Sequence, residues 1–154
     1  MIKINLLKLI IDIGNSRIKL ALFNLKKMIS NKVVENINYA TINDFCQNNK
    51  ITSSIISSVR CLSENEKQVV NTLDCLVLNK DTLLPIKSNY RSCFGSDRIS
   101  AVIGASFLYP NKDIWVFDSG TCLTMDFIDK KQTYHGGRIT LGLNMRYKAL
   151  NHFT

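Results

Sequence analysis

Apolar runs at Leu7–Asp12 and Ile18–Asn24, rich in Ile and Leu, flank a glycine-containing turn and predict a β-hairpin. Lys32–Ile37 reads as a third strand after the turn at Ser30-Asn31. Thr41–Asn49 has helical spacing, with Ile42, Phe45 and Cys46 on one face and Thr41 or Asn43 as the cap. Ser53–Val59 is an apolar, serine-rich strand. A helix follows from about Ser63, with Glu64 and Glu66 in its first turn, where the helix dipole favours acids. Cys75–Leu78 is a further strand. Residues 79–94 show no periodicity and read as a loop over a site. Asp97–Leu108 is the clearest helix: Ile99, Val102, Ile103, Ser106 and Phe107 form a continuous apolar face, and Pro110 ends it. Ile114–Asp118 and Leu123–Ile128 then repeat the first hairpin, and Gln132–Ile139 extends it. A last helix begins near Leu143, with Leu143, Tyr147 and Leu150 on one face.

One short pattern therefore occurs twice. Asp12-Ile13-Gly14-Asn15-Ser16 and Asp118-Ser119-Gly120-Thr121 each follow an apolar run and precede a second one. Glycine permits the sharp turn and lets a ligand approach the backbone closely. Two such turns facing each other would grip the phosphates of a nucleotide from both sides, so an ATP-dependent phosphotransferase is the leading expectation. The order β-β-β-α-β-α, followed by a second β-β-β opening on the same motif, indicates an α/β duplication. A simple doubly wound nucleotide fold would not repeat an Asp-x-Gly hairpin at this distance.

Composition narrows the class. The chain of 154 residues, 45% apolar and 21% charged, suits one ordinary globular domain or one and a part. Net charge is +8, but the lysines are dispersed and no basic run is interleaved with aromatics. A solvated basic surface with affinity for anionic substrates is expected in preference to a nucleic-acid surface. The five cysteines are odd in number and form no C-x-x-C pair, which argues against a disulfide framework or zinc knuckle and for a reducing cytoplasm. The N-terminus is apolar from Ile2 to Ile13 but carries Lys3, Lys8 and Asp12 and lacks a small-residue cleavage site. It reads as a buried strand and its approach, without a membrane role.

Four segments hold candidate chemistry. In the first turn, Gly14 to Ser16 supply backbone donors, Lys19 a cation and Asp12 a ligand for Mg²⁺, directly or through water. An ordinary hairpin with a solvated Asp is the alternative; no G-x-x-x-x-G-K-[ST] occurs, which excludes a P-loop. In the second hairpin, Cys122 and Met125 read as packing residues, and Asp126 as either a buried satisfied acid or part of the site. Gly95-Ser96-Asp97-Arg98 opens the clearest helix. There Ser96 is a candidate cap and Asp97 a dipole-stabilised acid; alternatively, Asp97 accepts a substrate hydroxyl proton while Arg98 binds a carboxylate or phosphate oxygen. Gly136-Gly137-Arg138-Ile139-Thr140-Leu141-Gly142 indicates backbone close to a ligand or a bend at a sheet edge. His135 and His152 have no Cys, His or acid cluster near them in sequence and read as structural.

D-I-G-N-S-R-I-K at Asp12–Lys19, G-S-D-R at Gly95–Arg98, D-S-G-T at Asp118–Thr121 and G-G-R-I-T-L-G-L at Gly136–Leu143 together resemble the type III pantothenate kinases. These belong to the superfamily of acetate and sugar kinases, Hsp70 and actin. Each motif alone is weak; the ordered set covers nearly the whole chain and is specific. The resemblance implies a duplicated ribonuclease H-like (actin-like ATPase) fold, with a complete first domain at 1–112 and the beginning of a second at 113–154. It implies phosphorylation of pantothenate by ATP, the first committed step toward coenzyme A. It further implies that Asp12, Ile13, Gly14, Asn15, Ser16, Arg17, Ile18 and Lys19 bind the ATP phosphates and that Thr121 touches the nucleotide. Gly95, Ser96, Asp97 and Arg98 would bind pantothenate, with Asp97 as the base. Asp118 would coordinate a monovalent cation, K⁺ or NH₄⁺, in addition to Mg²⁺ on the nucleotide. A homodimer completes the substrate pocket in this family.

The chain departs from the family pattern in several places. Leu141 and Arg91 stand where the family has Pro, and the pocket tyrosine falls at Ser88 in an ungapped match, with Tyr90 two residues later. The family continues past Thr154, through the rest of the second domain and a substrate-contacting Thr. The expectation is a truncated or split product, or a minimal form that needs a partner chain, whose last helix leaves apolar surface exposed and favours association. A different member of the superfamily, a non-catalytic nucleotide-binding relative and a nucleic-acid-binding regulator are the alternatives.

Overall fold

The computed structural model describes residues 7–47, 49–88 and 95–153. The readings made for Ile2–Leu6, Tyr90 and Arg91 lie outside the described residues. The described chain forms two compact units that part between Leu78 and Asn79.

In the first unit, strands β1 (Leu7–Ile13), β2 (Ile18–Asn24), β3 (Lys27–Val34), β4 (Ile51–Ser58) and β5 (Leu76–Val77) form one sheet in the order β3-β2-β1-β4-β5. The β1–β2 and β2–β3 pairs are antiparallel; β4 runs parallel to β1 and β5 parallel to β4. Period-two alternation sends Leu7, Leu9, Ile11 and Ile13 of β1 into the core with Ile18, Leu20 and Leu22 of β2. Helices α1 (Tyr39–Phe45) and α2 (Glu64–Thr72) contribute Ile42, Phe45 and Val69 to the same core.

Two local expectations shift. The β2–β3 connection is a tight turn at Leu25-Lys26, with Leu25 at φ 54°, so β3 begins at Lys27 and Ser30-Asn31 lies inside it. Strand β3 is an edge strand exposed along nearly its whole length, which removes the alternation that would mark it, and Ile37 is buried beyond it as a core residue. The cap of α1 is Asn38, whose Oδ1 accepts the Thr41 N–H at 2.8 Å, because Asn38 is the residue with extended backbone before the first turn. Helix α2 has the expected acidic start and a capping box between Ser63 and Glu66.

The second unit holds β6 (Lys87–Ser88), α3 (Ser96–Leu108), β7 (Ile114–Ser119), β8 (Cys122–Ile128), β9 (Thr133–Leu141) and α4 (Leu143–Phe153). Its sheet runs β6-β9-β8-β7, with β7, β8 and β9 antiparallel and β6 parallel to β9. Strand β6 falls within the stretch expected to be a loop and pairs Ser88 with Tyr134. Ile99 and Val102 of α3 pack against Ile128 and Tyr134, with Ile114 and Val116 of β7 alongside. That contact joins α3 to the second sheet, so α3 belongs to the unit that begins at Asn79. Phe107 lies about 80° round the helix from Ile99 and is 64% exposed, so it drops out of the expected apolar face. Ser96 is the first helical residue of α3 and is buried; Gly95 occupies the cap position and provides no side-chain bond. No helix among the described residues is long and apolar enough to cross a membrane.

Candidate active site

The first Asp-x-Gly turn closes the β1–β2 hairpin. Ile13 pairs with Ile18, and the Gly14 amide donates to the Arg17 carbonyl at 3.0 Å. A Cβ on Gly14 would sit 3.1 Å from that carbonyl, tighter than most side chains tolerate. Asn15, Ser16 and Arg17 are exposed at the bend. Asp12 and Lys19 are register partners, and Lys19 Nζ lies 3.4 Å from Asp12 Oδ2 with the lysine side chain 65% exposed. A pair so solvated is weak, so either group can turn to a ligand. The turn stands at the carboxyl end of β1 beside the parallel strand β4, where the Val59 amide donates to the Ile13 carbonyl at 3.1 Å. Open α/β sheets bind ligands outside the carboxyl ends of such strands. Just past β4, Arg60 forms a two-pronged ion pair with Glu66 at 2.7 and 2.9 Å. The Arg60 hydrogen bond holds the Glu66 carboxyl below its ordinary range, and the Ser63 amide adds to the effect.

In the second unit the turn residues are braced by backbone. The Gly120 amide donates to the Cys122 carbonyl at 2.8 Å and the Gly142 amide to the Thr121 carbonyl at 3.0 Å. A Cβ on Gly142 would strike the carbonyls of Gly120 and Thr121; one on Gly137 would strike the Met125 carbonyl and lie 2.6 Å from Asp126 Oδ1. The glycine-rich segment is therefore matched to close approach of the chain to itself, and Gly136 adopts φ 88° next to an irregularity in the β8–β9 ladder.

Register places Asp118, Val116, Thr124 and Asp126 on one face of the sheet, because Asp118 pairs with Thr124 and Val116 with Asp126. Val116 packs in the cluster with α3, so this is the face that carries the start of that helix. Asp97 is half-buried there, and its Oδ1 accepts the Arg98 amide at 2.8 Å. The Arg98 side chain reaches Asp126 with both Nε, at 2.9 Å, and Nη2. Tyr134 donates its hydroxyl to Asp126 at 2.6 Å. The bond to Asp126 raises the Arg98 pKa further, keeping the guanidinium charged.

Asp126 is thus buried and fully engaged, and it touches the G-S-D-R motif. Nothing local in the sequence marks Tyr134, and Asp126 carries only one signal there, an acid inside an apolar strand two residues before its end. His135 does have an acid neighbour: its Nε2 lies 2.9 Å from Asp129 Oδ2. That contact, with the Thr133 amide, lowers the Asp129 pKa to about 2.

No group of three or more His, Cys, Asp or Glu side chains that could hold a metal is present among the described residues. Asp118 is an exposed carboxylate at the end of β7. A lone carboxylate of this kind fits a hard cation whose remaining ligands are water and substrate phosphate.

Two sheet units, each with an Asp-x-Gly turn closing an antiparallel hairpin, define the duplicated ribonuclease H-like class of actin-like ATPases. A Ppx/GppA phosphatase from Aquifex aeolicus superposes with a TM-score of 0.59 at 12% identity, over 94% of this chain and 55% of that one, a likeness of fold. The chain belongs to the type III pantothenate kinase family, whose sequence model matches residues 8–154. It is 38% identical to the type III pantothenate kinase of Phocaeicola vulgatus over 152 residues and 39% identical to that of Bacteroides fragilis over 152. Each alignment covers 96% of this chain, and the chain spans 63% of the length of each relative.

Proposed function

We propose that this chain acts in the ATP-dependent phosphorylation of pantothenate to 4′-phosphopantothenate, the first step of coenzyme A biosynthesis, in the cytoplasm and as a homodimer. The observation that carries the reading is Asp97: a half-buried carboxylate at the start of α3, in a chain whose family model spans residues 8–154. In this reading the segment from residue 113 repeats the 1–112 domain.

Asp12 to Lys19 hold the ATP phosphates: the turn backbone donates hydrogen bonds, and Lys19 neutralises charge. Thr121 touches the nucleotide. Gly95, Ser96, Asp97 and Arg98 frame pantothenate, and Asp97 takes the proton from its 4′-hydroxyl as that oxygen attacks the γ-phosphorus, whose bond to the β–γ bridging oxygen breaks so that ADP leaves with the bonding electron pair. Positioning and charge neutralisation supply most of the rate in phosphoryl transfer. Mg²⁺ on the nucleotide, with K⁺ or NH₄⁺ at Asp118, would balance the charge that develops on the phosphoryl oxygens. The half-exposed Asp12 and the exposed Asp118 support these placements.

The test is mass-spectrometric detection of 4′-phosphopantothenate from the chain with pantothenate, ATP, Mg²⁺ and K⁺, beside Asp97→Asn. Product that disappears in the variant is the expected result. ATP binding without product would overturn it in favour of a non-catalytic nucleotide-binding relative, and salt-sensitive DNA binding in its place would favour a regulator.

A further inference from the structure

Asp126 has no part in the reaction above, yet at 1% exposure it is the most enclosed acid of the second unit among the described residues. Its Oδ2 accepts Arg98 Nε at 2.9 Å; its Oδ1 accepts Arg98 Nη2 and, at 2.6 Å, the Tyr134 hydroxyl. Buried ion pairs add little net stability over apolar packing, so stability alone does not account for this one.

The two ends of the pair are unusual. Arg98 lies in the first turn of α3, a helix that has no side-chain cap. Asp126 stands directly across the ladder from Gly137, where the missing Cβ leaves room for the carboxylate. The start of α3 is therefore anchored to the sheet in place of a local cap. Arg98 also gives its backbone N–H to Asp97 Oδ1 at 2.8 Å. One residue thus holds the Asp97 carboxylate with its backbone and the sheet with its side chain.

We propose that Asp126 and Tyr134 are positioning residues: they keep the Arg98 guanidinium as a strut between β8 and the first turn of α3, and so set where Asp97 presents its carboxylate. The inference rests on the reading of Asp97 as the base. The Arg98 charge is balanced by Asp126, which takes its Nε and Nη2 and fixes the plane of the guanidinium. The Tyr134 hydroxyl fixes the rotation of the carboxylate by occupying the oxygen that also takes Nη2.

The test combines amide hydrogen exchange with steady-state kinetics on the full chain, for wild type, Asp126→Asn, Tyr134→Phe and Asp97→Asn. Asp126→Asn keeps the shape and removes the charge; Tyr134→Phe removes only the hydroxyl and guards against misfolding of the first variant. The Ile99 amide, which closes the first turn on the Gly95 carbonyl at 3.0 Å, reports the strut, and the Tyr109 amide, bonded to the Ala105 carbonyl, reports the far end of α3. The expected result in Asp126→Asn is exchange about tenfold faster at Ile99 with Tyr109 unchanged. With it, kcat falls about 10- to 100-fold while KM for pantothenate moves less than about threefold. Tyr134→Phe shifts both readouts in the same direction by less.

A rise in KM at unchanged kcat would overturn the proposal and make Arg98 an anion receptor. Equal acceleration at Ile99 and Tyr109 would also overturn it, as ordinary core support. If wild type forms no product, the reading of Asp97 as base fails separately. Exchange then decides the strut: acceleration confined to Ile99 supports it and acceleration throughout α3 rejects it.

Discussion

Gly137 lies opposite Asp126 in the β8–β9 ladder, and a Cβ at Gly137 would come within 2.6 Å of the Asp126 carboxylate and 2.8 Å of its Cα. The acid that anchors Arg98 has its space provided by the neighbouring strand.

Gly137→Ala is therefore expected to destabilise the protein by about 1–3 kcal/mol, since the obstructing Met125 carbonyl is backbone and cannot swing aside. A lower urea midpoint with unchanged slope checks it. Gly104→Ala is the control: a Cβ there meets nothing within 4 Å, and alanine in a helix is favoured by about 1 kcal/mol over glycine.

Lys19→Ala should separate binding from stability. The Asp12–Lys19 contact is long and solvated, so unfolding free energy should change by no more than about 1 kcal/mol. If Lys19 meets the ATP phosphates, nucleotide affinity falls about 10- to 100-fold, the range for a hydrogen bond to a charged group. Calorimetric titration with ATP reads this, and unchanged affinity would remove Lys19 from the site.

Glu66 predicts a particular acid sensitivity. Its folded pKa lies below the unfolded value because Arg60 and the Ser63 amide bind the carboxylate. Its stabilisation is thus present above the unfolded value of about 4.3 and is lost as pH falls through the lower folded one. Glu66→Gln should lower the urea midpoint at about pH 7 and flatten its further decline below about pH 4. An identical acid decline in both proteins would show that Glu66 is not the titrating group.

Much of the framework is legible from local pattern. Strands β1 and β2 and their turn declare themselves through clustered Ile and Leu around a single glycine. Ser63 and Glu66 announce α2 because a capping box needs only residues three apart. Where local pattern misleads, the cause is equally specific. Strand β3 has almost no buried side to mark, and its turn at Leu25-Lys26 uses a left-handed leucine where glycine or asparagine would be looked for. Ser96 has the chemistry of a cap, but Gly95 takes the position.

By itself, the sequence determined most of the elements, the repeated Asp-x-Gly turns and the family, because these depend on periodicities and motifs carried within a few neighbouring residues; β6 and the start of β3 carry no such pattern. Tertiary structure alone decided that Arg98 is held by Asp126 and Tyr134, and that Gly137 and Gly142 accommodate the chain's own backbone. Residues 98, 126 and 134 meet only once α3 has packed on β8 and the β8–β9 register is set. That register depends on which face of the sheet is buried, a property of the assembled core.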